Sequence, residues 1–396
     1  MFLDLIEQLH VREQQGLKRH RTVTTGPQSV RVVIDNHAYL SFCSNDYLGL
    51  AGHPELMQAV CEGARLYGVG AGASHLINGH SAAHHALEQA LANFTGFPAA
   101  LLFSTGYMAN MGVITALVGK DDAIFADKLN HASLNEAALL SRARLLRYPH
   151  CDTAALERQL AASTCRRKLI VTDAVFSMDG DIAAIDRLIE LCEHYDAMLL
   201  LDDAHGFGVL GNKGRGVLFS SAEGTLPSEQ VASRIIYMAT LGKAAGVFGA
   251  FVAAADEVAE TLIQTAKSYI YTTASPPLLA HALLKSLERI ENDEWRRDKL
   301  YRLIELLKTN LQSLKWRLMP SNTPIQPLVI GAARDAVRVS STLKKKGILV
   351  PAIRQPTVPQ GTARLRISLS AAHEEADILF LADELHKIAS VHDAHV

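Results

Sequence analysis

The chain has 396 residues, close to half of them apolar, and a formal net charge of −2. A chain this long buries about three quarters of its unfolded surface, so its core needs no disulfide or metal staple. Near-neutral charge gives no electrostatic case for nucleic acid or an anionic membrane, and five cysteines without C-x-x-C spacing argue against a disulfide framework or a cysteine zinc site and fit a reducing cytoplasm.

Phe2, Leu5, Ile6 and Leu9 recur at helical spacing, which predicts an amphipathic helix docked on the body of the protein. Acids interrupt this stretch where a signal peptide needs a continuous apolar core, so no export signal is expected. Apolar runs follow at Ala99–Ser104, Ala123–Ala126, Arg144–Tyr148, Lys168–Ala174, Ala197–Asp202, Arg234–Ala239 and Phe248–Ala254. Most are apolar at consecutive positions, as expected of strands covered on both faces. Helical patterns such as Ala82–Phe94 and Ala183–Tyr195 separate them, which predicts an α/β sandwich around a largely parallel sheet. After about residue 280 a charged amphipathic stretch, Pro277–Leu314, leads to short strands at Ile325–Ile330 and Arg364–Ser370 and a last helix at Glu374–Ile388. The expected division is an N-terminal segment 1–45, a large domain 46–280 and a smaller α+β domain 281–396. The longest uncharged apolar run, Ala244–Ala255, is too short to span a bilayer, so a soluble protein is expected.

Lys243 closes Thr240-Leu-Gly-Lys243, downstream of a strand that ends in Asp202, Asp203 and His205. A strand-end acid, a nearby histidine and a later Ser/Thr-x-x-Lys suit pyridoxal 5'-phosphate (PLP). The amine would form a Schiff base with its aldehyde, and the carboxylate would hold its pyridine nitrogen protonated. Neighbouring residues of a strand point to opposite faces, so Asp202 and Asp203 do not converge on a metal with His205. Ser104–Asn110 follows a strand and opens a helix, which makes it either a phosphate cradle or an ordinary N-cap. Gly68–Gly79 is either a tight irregular loop or a close backbone approach to a ligand, since the helical pattern before it rules out a dinucleotide fingerprint. His131 either lies flat on an aromatic cofactor or is a satisfied polar residue. Asp179 and Asp181 read as a turn. Arg364 and Arg366, two apart, share one strand face: an exposed edge, or a clamp for a substrate carboxylate.

Taken in order, Ser44–Gly49, Leu129–Ser133, Val175–Gly180, Asp202–His205, Thr240–Lys243 and Pro356–Pro359 resemble the α-oxoamine synthases over nearly the whole chain. These are PLP enzymes of fold type I that condense an amino acid with an acyl thioester. The resemblance implies a mostly parallel seven-stranded sheet between helices, a smaller C-terminal α+β domain, and a cytoplasmic homodimer with its active site at the subunit interface. It makes Lys243 the Schiff-base lysine and general acid/base, with Asp202 on the pyridinium nitrogen, His205 on the ring hydroxyl and His131 stacked on the ring. Ser177 would position ring substituents, and Gly106, Tyr107 and Thr240 would hold the phosphate. Thr272 and Thr273 would reach the partner subunit's phosphate. Asn45 and Arg366 would hold the amino-acid carboxylate, and Thr357 would line the acyl-substrate mouth. Ser81–Glu88, Asp203–Gly208 and Val350–Arg366 are similar to the biotin-pathway branch, which uses L-alanine and a pimeloyl thioester, carried on CoA or on an acyl carrier protein. The chain departs from the family at His75, where arginine is usual. Within the basic patch Lys18–Arg21, Arg19 is expected to meet the acyl chain's far carboxylate.

Overall fold

Consecutive apolar residues in the seven central runs bury both faces of one sheet. Phe125, Ile170, Leu201, Tyr237 and Phe251 face one core, while Ile124, Leu169, Val171, Leu200, Ile236 and Val252 face the other. That alternation is the period of two of a strand, read with apolar residues on both sides. The structure is a computed structural model that describes residues 3–15, 17–19, 21–220 and 228–393. Across the sheet the strands run Ala99–Phe103, Ala250–Ala254, Ile235–Thr240, Met198–Asp202, Lys168–Asp173, Ala123–Asp127 and Arg144–Tyr148. Only Ala250–Ala254 is antiparallel to its neighbours. This is the mostly parallel seven-stranded sheet expected. The sequence run beginning at Phe248 loses its first two residues because Gly249 takes φ 103° before the strand starts.

The helices begin and end where local chemistry directs them. Ser81 accepts a hydrogen bond from His84 N and caps Ala82–Thr95, which stops at Gly96 in the left-handed region. Thr105 caps Gly106–Leu117 by accepting from Met108 N at 3.1 Å, a contact worth about 1 kcal/mol. The long stretch Pro277–Leu314 is two helices, Pro277–Asn292 and Glu294–Leu311, because Asp293 at φ −91°, ψ 58° breaks the helical path.

A second, four-stranded antiparallel sheet is ordered Arg317–Leu318, Ile325–Gly331, Ala363–Ser368, Ala352–Ile353. Near the N-terminus, Arg31–Ile34 and His37–Ser41 form a hairpin, and Ile348–Leu349 adds to it in parallel. Phe42 ties these parts together: its N–H donates to Leu349 O and its C=O accepts from Ser368 N, both at 2.9 Å. This stitch sets the Asn45 segment beside the strand that carries Arg366.

One expectation is corrected and one open alternative is decided. The N-terminal helix forms over Leu3–Gln14, but Leu5, Ile6 and Leu9 are 48%, 67% and 55% exposed. Its apolar stripe is therefore not docked on the body of this chain, because no described element packs over those side chains; Phe2 lies outside the described residues. Arg364 and Arg366 do not sit on an exposed edge. Their strand lies between two others and leaves them only 4% and 5% exposed.

Candidate active site

The site gathers at the C-terminal ends of the parallel strands, where open α/β sheets present their ligands. Asp173 and Asp202 are register partners on adjacent strands. Asp202 Oδ2 accepts from Asn110 Nδ2 at 2.8 Å, and its Oδ1 accepts from Ala204 N at 3.1 Å. Asp203 turns the other way, as strand alternation requires. Its Oδ2 accepts from Val217 N at 2.7 Å and from the Tyr237 hydroxyl at 3.0 Å. It therefore holds the following loop, and burial pushes its carboxyl up to about 7.

Lys243 follows Ile235–Thr240 in a turn that packs against Leu50 and Ala51 at Gly246. Its Nζ lies 2.9 Å from His205 Nε2, and His205 Nδ1 lies 2.7 Å from the Tyr47 hydroxyl. Tyr47 donates to Asn45 Oδ1 at 3.2 Å, and both terminal nitrogens of Arg366 donate to that same oxygen at 3.2 Å. A continuous chain of polar contacts thus joins Arg366 to Lys243. With the Tyr47 proton given to Asn45, His205 Nδ1–H donates to the Tyr47 oxygen. Its Nε2 lone pair is left to accept from the lysine. Burial, reinforced by the charges of Lys243 and Arg366, holds the His205 imidazole neutral, well below its ordinary range.

Burial also brings Lys243 down to about 8, although the Asp202 and Asp173 carboxylates favour its charge. Asp173 moves the opposite way, well above the usual carboxylate range, through burial and then the neighbouring Asp202 charge. Below about 8 the lysine is an ammonium; above it, a free amine. The pH dependence of PLP capture by the cofactor-free protein is therefore expected to rise with pH and turn over near 8. A midpoint near the ordinary lysine value of 10.5 would show that burial does not tune this amine.

The remaining expected residues are placed as follows. His131 caps the helix Ala132–Ser141. Its N–H donates to Asp173 Oδ2 at 2.6 Å, its Nδ1 lies 2.7 Å from Ser133 Oγ, and the charges of Asp202 and Lys243 both act on its ring. Gly106 and Tyr107 open the helix Gly106–Leu117, whose first N–H groups and dipole suit an anion. A Cβ on Gly106 would lie 2.7 Å from Thr240 Cγ2, so only glycine admits this approach. Ser177 offers its C=O to Arg366 Nε at 2.5 Å, and Ser368 Oγ accepts from Arg366 Nη1 at 2.8 Å. Arg364 is spent elsewhere, on Asp179 Oδ1 at 2.6 Å. Arg19 and Thr357 line a single cavity of about 800 Å³ with Arg12 and Ile353. Thr272 and Thr273 stand after the short helix Lys267–Ile270, and Thr273 bridges to Ser74. Tyr47, Asn110 and Asp173 escaped the sequence reading as site residues. The first two lie inside segments singled out there, and only their neighbours were given roles.

The buried amine, the buried carboxylate one strand away, the histidine between them and the glycine-built helix N-terminus are together the donor set that PLP needs. Residues 38–385 match the family described as aminotransferase class I and II. A serine palmitoyltransferase of Sphingomonas wittichii superposes with a TM-score of 0.91 at 26% identity, over 98% of this chain and 97% of that one. An 8-amino-7-oxononanoate synthase of Francisella tularensis does so at 0.76 and 31%, over 89% and 98%. Fold and site define a PLP-dependent transferase of fold type I. An 8-amino-7-oxononanoate synthase of Nitrosospira multiformis is 65% identical over 97% of this chain and 95% of its own length. Another, from Nitrosomonas europaea, is 61% identical over 98% and 100%. The chain belongs to the 8-amino-7-oxononanoate synthase family.

Proposed function

We propose that the protein condenses L-alanine with a pimeloyl thioester, releasing CO2 and a free thiol and forming 8-amino-7-oxononanoate for biotin synthesis. The observation that carries this reading is the unbroken contact chain from Arg366 through Asn45, Tyr47 and His205 to Lys243. It supports reading Arg366 as a carboxylate anchor and Lys243 as an acid/base amine at the two ends of one contact chain. When bound, PLP supplies an aldehyde that condenses with amines and a protonated pyridine ring that takes up electron density from a carbanion.

The chain's own residues do the rest. Lys243 holds the cofactor, removes the α-proton of bound alanine, and returns a proton to that carbon after CO2 has left. Asp202, fixed by Asn110 and Ala204, would face the ring nitrogen and favour the protonated ring. His205 would hydrogen-bond the ring hydroxyl, His131 would cover the ring face and exclude water, and Ser177 would position ring substituents. Gly106, Tyr107 and Thr240 would hold the phosphate. Thr272 and Thr273 reach the phosphate of a second subunit, which makes the working unit a homodimer. Asn45 and Arg366 grip the alanine carboxylate. The cavity that Arg19 and Thr357 share takes the acyl chain, with Arg19 at its far carboxylate. The five cysteines, all free, support a cytoplasmic setting. Among the described residues no helix is long and apolar enough to cross a membrane.

Thiol release measured across a panel of amino acids and thioesters tests the proposal. The expected result is turnover with alanine plus pimeloyl-CoA or a pimeloyl carrier protein; a preference for glycine with acetyl-CoA would overturn it. Arg366→Lys keeps the charge but loses the planar fork that a carboxylate matches. A charged hydrogen bond is worth about 1.5–3 kcal/mol. The KM for alanine should therefore rise by roughly 10- to 150-fold, while the KM for the thioester stays within a small factor.

A further inference from the structure

Seven residues after His75 the chain enters the helix Ala82–Thr95, and its start concentrates imidazoles that the proposed reaction does not use. His75 lies in the tight turn His75–Gly79, His80 follows it, and Ser81 caps the helix carrying His84, His85 and Glu88. His85 and Glu88 are three apart and so neighbours on the helix surface. We propose that His80, His85 and Glu88 form a binding site for a borderline divalent transition-metal ion of the Zn2+ type.

The geometry is the first argument. One ligand atom from each of the three residues lies within 4.8 Å of the others, and His80 Nε2 is 3.8 Å from Glu88 Oε2. Metal–nitrogen and metal–oxygen bonds of about 2.0–2.2 Å set a tetrahedral edge of roughly 3.4 Å, so small side-chain movements close the set.

The outer contacts are the second. Ligands of a bound metal carry a further hydrogen bond that orients them, and two of the three already have one. His80 Nδ1 lies 2.9 Å from His75 Nδ1, and the His75 ring stacks on Tyr269 with centroids 5.0 Å apart. With Nδ1–H shared with His75, His80 presents the lone pair of Nε2 towards Glu88. The other oxygen of Glu88 accepts from Leu102 N at 2.9 Å. His84, although adjacent, is no ligand: Nδ1 accepts from Ser81 N at 3.1 Å, and Nε2 lies 2.8 Å from Ser275 O.

Two imidazoles and one carboxylate favour Zn2+, Co2+, Ni2+ or Cu2+ over Mg2+ or Ca2+. The exposed side of His85 leaves a fourth position for water.

A second His-containing cluster carries no such reading. His150 is held between Asp127 Oδ1 at 3.1 Å and Asp181 Oδ2 at 2.7 Å, so both of its nitrogens serve as donors and neither offers a lone pair.

An ion at His80, His85 and Glu88 would pin the turn after Gly68 to the helix. Ser74 of the same turn bridges Thr273, so the ion would brace the segment proposed to face a second subunit.

The test is calorimetric titration of chelator-dialysed, PLP-loaded protein with Zn2+. One ion per chain is expected, with thermal unfolding moved upward when it is bound. His85→Ala, at an exposed position, and His80→Gln should each weaken binding by at least about tenfold, and His75→Phe, which keeps the stack on Tyr269, by roughly 10- to 100-fold. Absence of saturable binding, or His85→Ala and His80→Gln variants that bind as the parent does, would overturn the proposal. The second of those results would place any bound zinc on other histidines.

Discussion

Lys243→Ala is expected to lower turnover by more than about 10⁴-fold, the upper end of what one positioned acid/base group supplies. It should also remove the visible absorption band of lysine-linked PLP. The amine is buried, faces His205 Nε2 at 2.9 Å, and is brought down to about 8 by its surroundings. It is thus the one group on this contact chain able to be both nucleophile and base near neutral pH. Loss of a buried ammonium removes an electrostatic cost from the folded state, so unfolding should remain cooperative and circular dichroism native-like. A variant that kept both the band and alanine-dependent thiol release would refute the assignment of this lysine.

The second large effect is expected of Asp202→Asn. Both carboxylate oxygens accept from fixed donors, Asn110 Nδ2 at 2.8 Å and Ala204 N at 3.1 Å. An amide in the same place must turn its NH2 towards one of them, leaving a buried donor unpaired at a cost of about 1–3 kcal/mol. It also removes the carboxylate proposed to hold the pyridine nitrogen protonated. Removing one preorganised electrostatic partner of a reacting group typically costs about 10²–10³ in kcat, and a loss of that size is expected here together with weaker PLP retention. Because burial and, after it, the Asp202 charge raise the Asp173 carboxyl, Asp173 should titrate at lower pH in the variant. An Asp202→Asn protein with parent-like kcat would mean that ring protonation does not depend on this residue.

The legible parts of the site share a physical property: they sit at ends of regular elements. Asp202 and Thr240 close apolar runs, Gly106 follows one, and Lys243 lies three residues beyond Thr240, so strand periodicity alone locates them. The opposed directions of Asp202 and Asp203 likewise follow from alternation. Tyr47 and Asn110 were not legible as site residues, because nothing local marks them. Their partners are 158 and 92 residues away, His205 and Asp202, and only the folded sheet brings them within hydrogen-bond reach. Burial of Arg364 and Arg366 was undecided for the same reason. A two-residue spacing states which face they share, but not whether another strand covers that face.

Taken by itself, the sequence determined the α/β layering, the order of the strands along the chain, and which residue types are available for PLP chemistry. Each of these depends on periodicity or on residue type. Tertiary structure alone decided that Arg366 meets Asn45 across 321 residues, that Arg19 shares a cavity with Thr357, and that the N-terminal helix leaves its apolar stripe exposed. It also decided the tuning of Lys243, since burial moves the amine down to about 8 although nearby carboxylates favour its charge. Burial is a property of the packed molecule and not of any segment of its chain.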